Sequence, residues 1–126
     1  MITRIQPAAV PASQAPFSQV VMDDHYAFLA GLVAADFPAG ETVLGDVGAE
    51  TRAVLAVIGE ILEELQLLRE NMVKVEVHLS DLNDFDAMDA AYREFFTAGH
   101  YPARTTTESP RLFGDSKVEI TCQVRR

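Results

Sequence analysis

One cysteine, Cys122, in 126 residues leaves no partner for an intrachain disulfide, and it suits a reducing compartment. No apolar run approaches the roughly 18 residues that a membrane-spanning helix needs. The N-terminus lacks a basic stretch followed by an apolar one, so no secretory signal is expected. Basic residues are also scarce: 10 Lys and Arg stand against 19 Asp and Glu, a formal charge of −9. That balance disfavours a general phosphate-binding surface for nucleic acid and docking on anionic lipid. Low complexity, internal repeats, phosphate-cradling glycine loops and serine nucleophile elbows are all absent. His25, His78 and His100 lie far apart, and none has a second ligand at a metal-like spacing, so surface or turn roles are expected and no metal site is assigned. These features leave a soluble, cytoplasmic single domain over 1–126, with small molecules or proteins as partners.

What the chain does contain is a clear change of period. Pro7 to Pro16 is rich in Pro, Ala and Ser and reads as a loop between two early strands. Residues 20–31 read as two short strands about a polar DDH turn, and Ala34 to Gly45 as a second loop. From Asp46, a candidate N-cap, Val54, Ile58, Ile61, Leu65 and Leu68 recur at helical steps, and the helix is expected to fail between Gln66 and Glu70. Gly59 within it costs about 1 kcal/mol relative to Ala unless close packing demands it. Met72 to Leu79 then alternates strictly, with Val73, Val75, Val77 and Leu79 on one face and Met72, Lys74, Glu76 and His78 on the other. A second helix starts at Asn83 as cap, with Leu82 and Ala87 as a hydrophobic staple, and carries Phe85, Met88, Tyr92 and Phe95 as its apolar stripe. A Thr-rich strand from Arg104 and a strand over 117–124, with Val118, Ile120, Cys122 and Val124 inward, close the chain as a pair.

The order β-β-β-α-β-α-β-β predicts an α+β layer fold: a mixed sheet of about six strands with both helices on one face. The other face, on which Met72, His78, Thr106 and Thr121 are placed, must meet water or a second copy of the chain. Cys122, among apolar neighbours, is read as inert core.

The chemistry concentrates in PARTTTESPRLFGDSKVEITCQV. Arg104, Thr106 and Glu108 share a strand face, and Glu119 lies on the non-core face of a strand expected nearby. Two readings fit. Arg104 grips a substrate carboxylate while Glu119 activates a water, or Arg104 forms a cross-strand ion pair with Glu119 or Glu108.

The ending YPARTTTESPRL…KVEITCQV, preceded by VKVEVHLSDLNDFDAMDAAYREFF, resembles the YjgF/RidA family of reactive imine/enamine deaminases, endoribonuclease L-PSP-like proteins. APFSQVV, FLAG and GETVLGDVGAETRAVL fall where that family has corresponding segments, so the likeness spans nearly the whole chain. The resemblance implies a chorismate-mutase-like fold assembled as a homotrimer, with clefts between subunits and no cofactor. It implies Arg104 as carboxylate ligand, Glu119 as the group positioning the attacking water, and substrates of the 2-aminoacrylate type hydrolysed to a 2-keto acid and ammonia. Phe17, Gly31, Asp89 and Thr106 fall at substrate-binding positions. Three of these positions, and Leu32 beside Gly31, depart from the family pattern. Phe17 stands for Tyr, Leu32 for Gln, Thr106 for Cys and Asp89 for Asn; the Asp89 carboxylate opposes an anionic substrate. Ala30 for Ser and Gln66 for Gly are further departures. Two other roles remain compatible with the chain: a non-catalytic trimer that binds a 2-keto acid through Arg104, and a protein-interaction or chaperone-like role needing neither Arg104 nor Glu119.

Overall fold

A computed structural model describes all 126 residues. Six strands form one mixed sheet: β1 (Thr3–Ile5), β2 (Val20–Met22), β3 (Tyr26–Val33), β4 (Met72–Leu79), β5 (Ala103–Glu108) and β6 (Val118–Arg125). Their spatial order is β1-β2-β3-β6-β4-β5. Helices α2 (Val47–Glu64) and α3 (Phe85–Phe95) pack together on one face, as the periodicity predicts. The segment 34–45, expected as loop, carries a 3-10 turn at Ala34–Asp36 and the one-turn helix α1 (Pro38–Glu41), for which Pro38 at the first position presets the backbone angle. No helix is long and apolar enough to cross a membrane.

Asp46 caps α2 as expected, its carboxylate accepting from Ala49 N at 3.1 Å. The far end closes in a Schellman motif: Leu67 N donates to Leu62 O and Gln66 N to Glu63 O, with Gln66 at φ +59°. The chain therefore leaves the helix before Leu68, which is 57% exposed rather than part of the buried stripe. Gly59 is explained by close packing, since a methyl group there would lie 3.0 Å from the Arg69 guanidinium and 3.4 Å from the Phe95 ring. At the second helix the cap is one element earlier than expected. Asp81, not Asn83, accepts the end N–H (from Asn83, 2.8 Å), a 3-10 turn at Leu82–Asp84 precedes α3, and Leu82 and Ala87 are both exposed, so no staple forms.

β4 corrects the simple alternation. Met72 pairs with Val124 and Lys74 with Gln123, so Val73 is an extra residue, a bulge that shifts the phase of the strand. Met72 turns inward at 2% exposure and Val73 outward at 39%. The final two strands are not paired with each other: β5 runs parallel to β4, and β4 lies between β5 and β6. Parallel pairing follows from α3, which carries the chain back over the sheet in a βαβ crossover. Thr106 aligns with core-facing Val77 and so shares the helix side, as Met72 does. Of the four residues assigned to the uncovered face, His78 and Thr121 lie there, beside Glu119 and Gln123. His78 Nδ1 is 2.8 Å from Thr107 Oγ1, and Lys74 Nζ donates to Thr105 Oγ1 at 2.9 Å.

The core lies between sheet and helices, with Val75, Val77, Ile120, Cys122, Val54, Ile58, Ile61 and Met88 among its buried residues. One charged group enters it. Glu50 on α2 is fully buried, and its two carboxylate oxygens accept from Gly45 N and Lys117 N, each at 2.8 Å. A buried carboxylate survives because both oxygens are paired. The bond to Lys117 fixes the start of β6, two residues before Glu119.

Candidate functional site

The residues singled out in the sequence separate into two pockets. The first lies on the helix side of β5, at the edge of the sheet, and holds Arg104 with Asp89, Tyr92, Arg93, Tyr101 and Pro102 in a cavity of about 400 Å³. Arg104 projects toward α3, where its guanidinium lies 2.8 Å from Asp89 Oδ1. Its carbon lies 4.6 Å from the Tyr92 ring centre and 5.5 Å from that of Phe85, a stacked cation on two aromatic faces. Asp89 also receives Arg93 at 3.2 Å. Both anticipated ion-pair partners of Arg104 are engaged elsewhere or remote: Glu108 accepts from Leu82 N at 2.9 Å, and Glu119 is across β4. Burial pushes the Tyr92 phenol up to about 12, partly offset by the nearby Arg104 charge, so it stays neutral; its hydroxyl is buried without a hydrogen-bond partner.

The second pocket, about 440 Å³, gathers Phe17, Gly31 and Glu119. It forms at a second bulge. Leu29 pairs with Cys122 and Leu32 with Ile120, so Ala30 and Gly31 together oppose the single residue Thr121. Leu32 is thereby committed to the core, fully buried against the helices rather than in the pocket. The bulge brings Gly31 under the Glu119 side chain. A methyl group on Gly31 would lie 3.0 Å from Glu119 Cδ and 3.1 Å from Oε2, so the absence of a side chain there lets the carboxylate settle over the backbone. The Pro- and Ala-rich segment 7–16 folds over this end, supplying Val10 and Ser13, while Phe17 is 53% exposed at the rim.

Asp36 also lines this pocket. Burial raises its carboxyl above the ordinary aspartate value, and the Val33 N–H it accepts at 3.1 Å partly offsets the rise. No Lys or Arg reaches this pocket. Thr106, on the helix side two residues beyond Arg104, lines neither pocket. Sequence reasoning missed Gln19 and Asp36 in the second pocket and Arg93 and Tyr101 in the first. Tyr92 is legible only as a member of the α3 apolar stripe.

Arg104 aligns through Val75 with Cys122, on the helix side, whereas Glu119 aligns with His78 on the uncovered side. The two groups therefore face opposite directions within one chain, with a strand between them. One pocket offers two arginines against one carboxylate, and the other offers two carboxylates and no cation.

Comparison with known proteins agrees with this architecture. A RutC family protein of Synechocystis is 39% identical over 120 residues, covering 94% of this chain and 92% of the relative. The human protein named 2-iminobutanoate/2-iminopropanoate deaminase is 33% identical over 116 residues, covering 92% and 84%. The crystal structure of the YjgF gene product of E. coli superposes with a TM-score of 0.86 at 32% identity, covering 98% of both chains. The family model for endoribonuclease L-PSP matches residues 7–125, and the chain belongs to that family, the YjgF/RidA proteins.

Proposed function

We propose that this protein hydrolyses reactive 2-imino and enamine acids of the 2-aminoacrylate type to a 2-keto acid and ammonia. The observation that carries this reading is the division of charge between the pockets: Arg104 in one, Glu119 without any cation in the other. An imino acid has the same division, with a carboxylate at one end and a protonated nitrogen beside the electrophilic carbon at the other. The names of the deaminase relatives support the reaction class.

Because the two groups face opposite sides of one sheet, a small substrate touches both only where two chains meet. We therefore infer a homo-oligomer, a trimer by the family resemblance. In it the β5 edge of one subunit abuts the Gly31–Glu119 end of the next. The substrate carboxylate docks on the Arg104 guanidinium, whose planar fork suits bidentate recognition. Backbone groups at Gly31 orient the imine. Glu119 takes a proton from a water as the water oxygen bonds to the imine carbon and the C=N π pair moves to nitrogen. Glu119 then returns its proton to the amine nitrogen, the C–N bond breaks with its electron pair on nitrogen to release ammonia, and the hydroxyl proton passes to water as the carbonyl forms, leaving the keto acid and a regenerated carboxylate. Positioning does most of the work, converting an encounter with bulk water into one with a held nucleophile. The partners under this reading are small carboxylate-bearing imines, enamines or keto acids, without cofactor, nucleic acid or membrane.

A dehydratase generating the enamine in situ tests the reading. Keto-acid release is expected to accelerate with wild-type protein and to return to the uncatalysed rate with Arg104→Ala. Full turnover in that variant would refute the carboxylate clamp. The 2.8 Å pairing of Asp89 with Arg104 favours a second reading, a trimer that binds 2-keto acids without turnover. It predicts saturable binding of 2-oxobutanoate with no acceleration in the same assay.

A further inference from the structure

The pocket that holds Glu119 is larger and more apolar than 2-aminoacrylate requires. Its volume, about 440 Å³, lies in the range of sites for drug-sized ligands, whereas the side chain of 2-aminoacrylate is a single methylene. Val10, Pro11, Ala15 and Val33 line it together with Phe17 and Phe113. Two of its polar side chains are already engaged: Ser13 Oγ accepts from Ala15 N at 3.0 Å, and Asp36 accepts from Val33 N at 3.1 Å. Phe17 is 53% exposed and Phe113 79%. Apolar residues exposed singly are commonplace, but two rings on one pocket make an apolar surface of the kind that marks a binding site. Phe113 is held there by its backbone. It opens the turn Phe113–Asp115, in which Ser116 N donates to Phe113 O at 3.3 Å. Gly114, at φ +65°, lies so close to Ala35, another lining residue, that a Cβ on Gly114 would clash with the Ala35 methyl. Ala35 N also donates to Ser116 Oγ at 3.4 Å. The turn is thus fastened to the pocket wall while the ring it carries stays largely in solvent.

In the deaminase reading the imine carbon sits beside Glu119, and its carboxylate reaches the Arg104 of a neighbouring subunit. The remaining substituent of that carbon is the side chain, and the rest of this pocket is what it meets. We propose that this space is a side-chain subsite, in which Phe17 and Phe113 select 2-imino acids with a branched or aromatic apolar side chain over 2-aminoacrylate and its small relatives; the inference rests on the deaminase reading above. Seating such a side chain removes apolar surface of both substrate and protein from water, and the rings add offset or edge contacts to an aromatic substrate. An acidic side chain finds no cation here and meets the Glu119 carboxylate instead. A basic one finds Asp36 already bonded to Val33 N. Phe17 and Phe113 take no part in proton transfer. They decide which substrate is held, and the attack of water is left to Glu119.

The test compares the 2-imino acids of alanine, leucine and phenylalanine, each generated in situ by an amino-acid oxidase, with keto-acid release followed for the intact oligomer. Wild-type kcat/KM is expected to be at least about tenfold higher for the leucine and phenylalanine imines than for the alanine imine. Phe113→Ala is expected to lower kcat/KM for the phenylalanine imine about tenfold, with the alanine imine within about twofold of wild type. Phe113→Leu, which restores an apolar side chain, is expected to keep most of the preference. Because the ring is exposed, the melting temperature and the oligomer mass by light scattering are expected to stay at their wild-type values. A wild type that turns over the bulky imines no faster than the alanine imine overturns the proposal. So does a Phe113→Ala variant that loses both imines alike or falls apart into monomers, since that is the signature of an interface role. Turnover of none of the three imines would overturn the deaminase reading itself, and this inference with it; turnover of the alanine imine alone overturns this inference and leaves that reading standing.

Discussion

Asp89 Oδ1 lies 2.8 Å from the Arg104 guanidinium, so the chain's own carboxylate occupies the place an incoming carboxylate would seek. Both side chains are about a quarter exposed, a partly desolvated setting in which the pair is not reduced to a surface contact. A ligand anion must share the guanidinium with Asp89. Asp89→Asn keeps an oxygen that accepts from Arg104 and removes the competing charge. Binding of 2-oxobutanoate, followed by calorimetry, is expected to tighten about tenfold, about 1.4 kcal/mol. Unchanged or weaker affinity would mean that Asp89 orients the arginine more than it competes.

Gly31 gives Glu119 its resting place. In Gly31→Ala the new methyl, 3.0 Å from Glu119 Cδ, forces the carboxyl group off the bulge. The displaced group is the end of a side chain, so the fold is expected to hold, with a melting temperature near that of wild type. Turnover is expected to fall by about 10²-fold, the scale of a displacement near 1 Å at a reacting group. Retained turnover would separate Glu119 from the chemistry.

These two residues also show how far the sequence reaches. The helices and the α+β layering were legible because their apolar residues recur over many turns and buried faces tolerate few alternatives. The bulges were not. One inserted residue, Val73 in β4, reverses inside and outside without altering the alternation on the page, and the Ala30–Gly31 bulge that forms the Glu119 pocket leaves only a glycine as its trace. Likewise Arg104 and Glu119 could be named from local motifs, whereas their placement on opposite faces depends on β4 entering between their strands, a non-local pairing.

Asp36 makes a pH-dependent prediction. Burial raises its carboxyl in the folded state above the unfolded value of 3.8. Between those two values the folded state holds the proton more tightly than the unfolded chain, so stability falls as pH rises through that window and stays lower above it. Asp36→Asn keeps an oxygen to accept from Val33 N and removes the buried charge. At pH 7 it is expected to melt above wild type, with the difference shrinking as pH drops below the window. An advantage that is independent of pH would show that the carboxylate's ionisation is not its source.

Arg104 and Glu119 point to opposite faces of one sheet, and the account requires them to act on one substrate from two chains. Co-expression of Arg104→Ala with Glu119→Gln tests this most directly. Each variant alone is expected to be folded and inactive. Mixed oligomers place an intact Arg104 from one subunit beside an intact Glu119 from another, and are expected to recover a substantial part of wild-type turnover. If the mixed oligomers form and stay inactive, the two groups do not share a cleft between chains, and the account fails.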